Sequence, residues 1–253
     1  MATIVAVRSG NWSNTSHTTG PWPGGSTPTT KPGAGDTVQT GAYIVTIDED
    51  VTVALLNSTS SGYFTVTSAP TLPAVRAITA DVLNSGTANG ALRISNPTGL
   101  VDIAGAITGG SIDSDYGIYN IAGNIGHITG DITGGSGGTS YGVFNSGTIG
   151  GITGNITSGD GDSRIGVFNS ALTTIGYITG DITGGDGDSN YGVLNFGTIG
   201  PITVSYTHLR AHETVLDLVC RLLLEKKKQR KQNSRSANRR SPNVMQQERK
   251  PQT

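Results

Sequence analysis

Cysteine, basic charge and long apolar runs are almost missing from the first 203 residues of this 253-residue chain. The one cysteine is Cys220, so residues 1–203 can build neither a disulfide framework nor a thiolate zinc site. No run approaches the roughly 20 consecutive apolar residues that a membrane-spanning helix needs, and membrane insertion is not expected. Residues 1–203 carry 5 Lys and Arg against 14 Asp and Glu, a balance of −9. That sign argues against a basic nucleic-acid-binding surface. The opening MATIVAVRSG is too short for a secretory signal, and Arg8 follows its apolar stretch instead of preceding it.

Residues 204–253 are different in kind, with 12 of the 17 Lys and Arg and only 4 of the 18 Asp and Glu, a balance of +8. Their first half, VSYTHLRAHETVLDLVCRLLLEKKK at 204–228, resembles a translated sequencing-library adapter of the transposase type. Adapter, index, flow-cell sequence and poly-A follow one another in a single reading frame. The resemblance implies a tail of artefactual origin, helical or disordered, which is set aside from fold reasoning. Taken at face value, 213–228 would instead be an amphipathic helix followed by a basic arm for nucleic acid or anionic membrane. Residues 1–203 are read as a fragment, with further repeats and a closing cap expected beyond them.

What is present in 1–203 is an internal repeat. GIYN (117–120), GVFN (142–145), GVFN (166–169) and GVLN (192–195) recur at intervals of 25, 24 and 26 residues. ITGDITGG, ITGNITSG and ITGDITGG run between them, starting at Ile128, Ile152 and Ile178. Glycine makes up 26 of the 97 residues from 107 to 203, and each would cost a helix about 1 kcal/mol relative to alanine. Short Ile, Val, Thr and aromatic pieces between Gly, Asn, Asp and Ser turns predict strands. A near-constant period predicts stacked, equivalent units. The expected fold is all-β: a right-handed parallel β-helix, or β-solenoid, with coils of about 25 residues.

Equivalent positions then fall into columns. Ile118, Val143, Val167 and Val193 are predicted to point inward, as are Ile107, Ile132, Ile156 and Ile182, and Ile128, Ile152, Ile178 and Ile202. Asn120, Asn145, Asn169 and Asn195 share the first of these faces by the period of two and are expected to form an asparagine ladder at a turn. Tyr119, Phe144, Phe168 and Leu194 lie between them and are predicted to face outward.

Upstream of 107 there is no clean period, although 35–56 alternates apolar and polar residues. The pattern GNWS…W…P…GAGDTV…G…VTIDEDVTV resembles the opening of β-solenoid proteins from phage particles and bacterial surfaces. The resemblance implies that a tryptophan-bearing loop, with Trp12 and Trp22 at its margins, caps the first coil; such closure protects strand edges. The expected division is 1–56 as capping segment and first strands, 57–106 as irregular coils, 107–203 as four Gly-rich repeats, and 204–253 as the adapter-derived tail.

Candidate chemistry is sparse. Asp113 and Asp115, then Asp160 and Asp162, then Asp186 and Asp188 recur near the turns, with Gly137 and Thr139 interrupting the series. Asp160, Asp162, Asp186 and Asp188 allow a calcium site, but the downstream Glu and spacing of an EF-hand are missing. The favoured reading is acidic turn tips with Asx-turn bonding. Asp131, Asn155 and Asp181 are read as another turn position. A polysaccharide-cleaving pair of carboxylates would need one unique constellation, whereas these acids repeat. His127 stands alone, Arg164 is the only basic residue in the repeats, and no Ser/His/Asp arrangement is apparent. No catalytic residue, cofactor or metal is assigned. The sequons at Asn11, Asn14 and Asn57 are expected by chance in so Ser/Thr-rich a chain.

Tyr119, Phe144 and Phe168 are the candidate surface-binding residues, for sugar faces or a partner protein; self-stacking that stiffens the rod is the competing reading. The expected function is a non-enzymatic, structural or adhesive part of a phage tail or virion appendage. A bacterial surface adhesin and a polysaccharide-degrading β-helix enzyme are the alternatives. A glycan or cell-surface receptor is the expected partner, a homotrimer is a possible assembly, and the location is the virion or the extracellular surface.

Overall fold

The computed structural model describes residues 2–15, 21–23, 31–67, 75–95, 98–113, 115–159, 163–185 and 189–203. The tail 204–253 and the four acids weighed for calcium, Asp160, Asp162, Asp186 and Asp188, lie outside these residues. The described chain is all-β, and its strands stack in parallel register, one coil above the next, as a β-solenoid.

One sheet takes a single strand from each successive coil: Gly10–Asn11, Ile44–Ile47, Tyr63–Thr67, Leu92–Ser95, Asp115–Asn120, Thr139–Asn145, Ser163–Asn169 and Ser189–Asn195. The remaining 15 strands form a second sheet that makes up the rest of each coil. The three aliphatic columns read from the repeat are in register: Ile118↔Val143↔Val167↔Val193, Ile107↔Ile132↔Ile156↔Ile182 and Ile128↔Ile152↔Ile178↔Ile202. Their early members are fully buried. Ile202, in the last described strand, is 42% exposed. Burying one aliphatic side chain stabilises by about 2 kcal/mol, and no coil achieves that alone: each ring of side chains is covered by the rings above and below.

A fourth inner column, Ile125↔Ile149↔Ile175↔Ile199, was not read from the sequence. Its signal was the isoleucine of the recurrent T-I-G segment, which is N-I-G at Ile125.

Two long strands upstream, Val51–Ser58 and Val75–Asn84, run continuously through the second sheet. From residue 100 onward the same path is broken in two, as in Leu100–Ala104 followed by Ile107–Thr108. The break is made by Gly105, Gly130, Gly154 and Gly180, all at φ between +130° and +144°, a region that side chains disfavour. A Cβ on Gly130 would sit 2.2 Å from the carbonyl oxygen of Gly105, so the column tolerates glycine alone.

At the N-terminal end, Trp12 and Trp22 are both buried and meet edge-to-face, ring centroids 4.7 Å apart. Trp22 Nε1 donates to the Trp12 carbonyl at 2.9 Å, which satisfies the indole inside the core.

Candidate binding surface

The outer face of the eight-stranded sheet carries the aromatic residues. Tyr119↔Phe144↔Phe168↔Leu194 is one register column, and all four are half-buried. Tyr116↔Tyr141↔Ile165↔Tyr191 lies beside it and was not singled out from the sequence. Both columns reach the outer face because Gly117, buried, drops out of the pairing register between them. The equivalent Gly142 has no room for a side chain: a Cβ would lie 2.6 Å from both the Gly166 oxygen and Ile156 Cγ2.

The rings pack on one another. Tyr116 stacks on Tyr119 with centroids 4.6 Å apart and on Tyr141 at 5.1 Å, and Phe144 stacks on Phe168 at 4.9 Å with 13° between planes. Tyr119 meets Phe144 edge-to-face at 5.4 Å, and Phe168 reaches Phe196 at 5.9 Å. A ring whose face lies against the next ring in the row offers outward mainly its edge, or its hydroxyl. Desolvation, then the neighbouring Tyr119 and Tyr141, push the Tyr116 phenol up to about 12. Desolvation also raises Tyr141.

Arg93 lies in the same row, in register with Thr65 below and Tyr119 above. Its guanidinium carbon sits 3.9 Å from the centroid of the Tyr63 ring and 5.9 Å from that of Tyr119. Arg93 Nε donates to the Asn89 carbonyl at 3.0 Å. Nothing in the sequence marked this residue; its place is visible only once the irregular coils are put in register.

Behind this face the asparagines hold the turns. Asn120 Nδ2 donates to Asn145 Oδ1 at 2.7 Å, Asn145 Nδ2 to Asn169 Oδ1 at 2.8 Å, and Asn169 Nδ2 to Asn195 Oδ1 at 2.8 Å. Three of the four asparagines also close a local turn, accepting from the backbone N–H groups of Gly123, Gly147 and Gly197, while Asn169 Oδ1 accepts from Thr173 Oγ1 at 2.8 Å.

The reading of the acids as exposed turn tips needs correction. Asp115 is fully buried within a strand, and its register partners are Ser140, Arg164 and Asn190, not Thr139 or the later aspartates. It accepts from Gly90 N at 3.0 Å, Tyr116 N at 2.8 Å and Asn84 Nδ2 at 3.1 Å. Burial raises its pKa above the ordinary carboxylate value, against the opposing pull of those donors. Asp113 stays exposed, but its carboxylate accepts from Gly138 N in the next coil at 2.7 Å. Asp50, Asp81, Asp102 and Asp131 do the same for Ala77, Ala106, His127 and Asn155. Asn155 continues the pattern to Asp181. These side chains bind one coil to the next; the Asx-turn expectation placed the bond within a single turn. His127 stands with Nδ1 3.8 Å from Asp102 and its ring 6.0 Å from Tyr177.

Among the described residues, no group of three His, Cys, Asp or Glu side chains is placed to hold a metal ion, and no helix is long and apolar enough to cross a membrane. No protein-family model, no curated protein and no solved structure matches this chain.

Proposed function

We propose that the chain is a non-enzymatic, structural and adhesive β-solenoid segment of a phage tail or other virion appendage. The observation that carries this reading is the outer aromatic row, held in register over successive coils by self-stacking. Such a row gives a stiff, partly apolar contact surface that needs no moving part and no cofactor. The acids support the same reading. Glycoside cleavage requires two carboxylates facing one bond, whereas Asp81, Asp102, Asp113 and Asp131 each hold a backbone N–H of the following coil.

The partner in this reading is a glycan or a cell-surface receptor, met outside the host cell or at the virion surface. A homotrimer is the assembly proposed with it. A bacterial surface adhesin would use the same face in the same way, and the two roles differ in what the gene encodes around this segment. Sequencing the source DNA across the Thr203–Val204 junction tests this. Tail-gene neighbours support the virion role, and an anchor, autotransporter or secretion domain replaces it with the adhesin. Retention of the chain on bacterial cells is expected for either role. Depolymerisation of a glycan panel would overturn both in favour of an enzyme.

A further inference from the structure

The aromatic row contains one cation. Arg93 lies between the rings of Tyr63 and Tyr119, on the outer face of the eight-stranded sheet. Its neighbours in the row restrict it from both sides, and the bond from Nε to Asn89 holds the plane of the guanidinium. Among the described residues the Arg93 side chain donates from Nε to Asn89, and the ion pairs, Lys31–Glu49 and His127–Asp102, do not include it. Arg93 as a whole is half-buried.

Charge makes this arrangement unusual. Residues 1–203 hold 14 acids against 5 Lys and Arg, and a cation placed for stability in such a chain would be expected to face a carboxylate. Arg93 instead faces tyrosines, which restrict its rotamers without neutralising it. A planar guanidinium presents parallel N–H groups that match the two oxygens of a carboxylate. Stacking on aromatic rings leaves that charge intact. The hydroxyl-bearing rings of Tyr119 and Tyr116 follow directly along the row.

We propose that Arg93, flanked by Tyr63 and Tyr119, is a carboxylate-binding subsite, and that the ligand of this face is an acidic polysaccharide carrying uronic or sialic acid. Arg93 takes the carboxylate of one sugar. The edges and hydroxyls of Tyr116, Tyr119 and Tyr141 take the neighbouring sugars along the row. The inference rests on the adhesive reading above and deepens it by naming the ligand class.

The test uses the full chain on a panel of immobilised polysaccharides with uronic or sialic acid, each paired with its carboxyl-methylated form. Binding is expected to the free acids, to fall at least tenfold on methylation, and to weaken as salt is raised. Arg93→Gln is expected to lose the preference for the free acid, and Arg93→Lys, which keeps the charge without the planar fork, to fall between the two. The basic tail 204–253 also favours free acids over esters, so the preference is assigned to Arg93 only where Arg93→Gln loses it while keeping the β circular-dichroism spectrum, with Arg93→Lys as the second variant. Equal binding to acid and ester, or binding unchanged in Arg93→Gln, overturns the carboxylate site. Retention on bacterial cells without preference for acidic sugars overturns it too, while leaving adhesion standing. No retention on cells and none on any polysaccharide overturns both.

Discussion

The coils before residue 107 and the repeats after it follow the same register columns with different side chains. One inner column runs Ile47, Val66 and Ile94, then Asn120, Asn145, Asn169 and Asn195. The outer column beside it runs Thr46, Thr65 and Arg93, then Tyr119, Phe144 and Phe168. A third has Ala80 where the repeats have Gly105 and then Gly130. Upstream, the first of these columns packs apolar side chains, the coil-to-coil side-chain bonds such as Asp50 to Ala77 N and Thr40 with Thr59 do not recur in one column, and coil length varies: strand starts in the eight-stranded sheet fall at residues 44, 63 and 92. Downstream, each turn is fixed by an asparagine and each break by a glycine, and the period narrows to the constant spacing seen in sequence. Directional bonds demand equal coils, whereas apolar contact does not.

The sharpest break in this comparison is at the glycine column. Gly130→Ala places a Cβ 2.2 Å from the Gly105 oxygen at φ +130°, and strain and overpacking together should cost about 4 kcal/mol. Ala80→Gly, its counterpart in the long upstream strand, should cost about 1 kcal/mol, mainly through chain entropy. Denaturant midpoints of both variants check the pair. Equal losses would mean that the two regions are not built differently at this position.

The asparagine column comes next. Asn145→Leu keeps volume but removes the bonds to Asn120, Asn169 and the Gly147 turn. It leaves buried partners unsatisfied, at about 3 kcal/mol in total. Ile94→Leu in the apolar part of the same column should cost less than about 1.5 kcal/mol. On the outer face, Phe168→Leu gives up the stack on Phe144 and should lose about 1 kcal/mol. Thr46→Val, in the upstream part of that column, should stay within about 0.5 kcal/mol. Urea unfolding of the four variants ranks them.

Legibility in the sequence followed the same division. The repeat showed its strands, three inner columns, the line of asparagines and the outward aromatics, because identical turns return each residue type at a fixed interval. The upstream coils gave alternation around Val45 and Val53 but no register, since coils of unequal length leave no period to detect. Arg93 was therefore missed, although it continues the row of Tyr119. Asp115 was misplaced for a related reason: it was grouped with Asp162 and Asp188 by residue type, while counting back two residues from Gly117 and Gly142 aligns it with Ser140. The glycine that precedes each IYN or VFN segment carries the register more faithfully than the acids do.

The two regions should also respond to acid with opposite signs. Asp36, in the upstream region, accepts from Gly33 N at 3.0 Å and Ala2 N at 2.9 Å, and those bonds hold its pKa below the ordinary value. Stability from such a group is present above the unfolded-state pKa and is lost as pH falls through the folded one. Asp115, at the first regular coil, is raised by burial. Its contribution is fully present below the unfolded-state pKa and is lost as pH rises through the raised folded value. In the wild-type chain the two act with opposite signs, and only the variants separate them. Denaturant midpoints from about pH 3 to about pH 7 should show Asp36→Asn losing part of the acid-side fall, and Asp115→Asn losing the decline toward neutrality. If Asp115→Asn leaves the slope unchanged, the donors from Asn84, Gly90 and Tyr116 balance the effect of burial, and a change of the opposite sign would mean that they outweigh it.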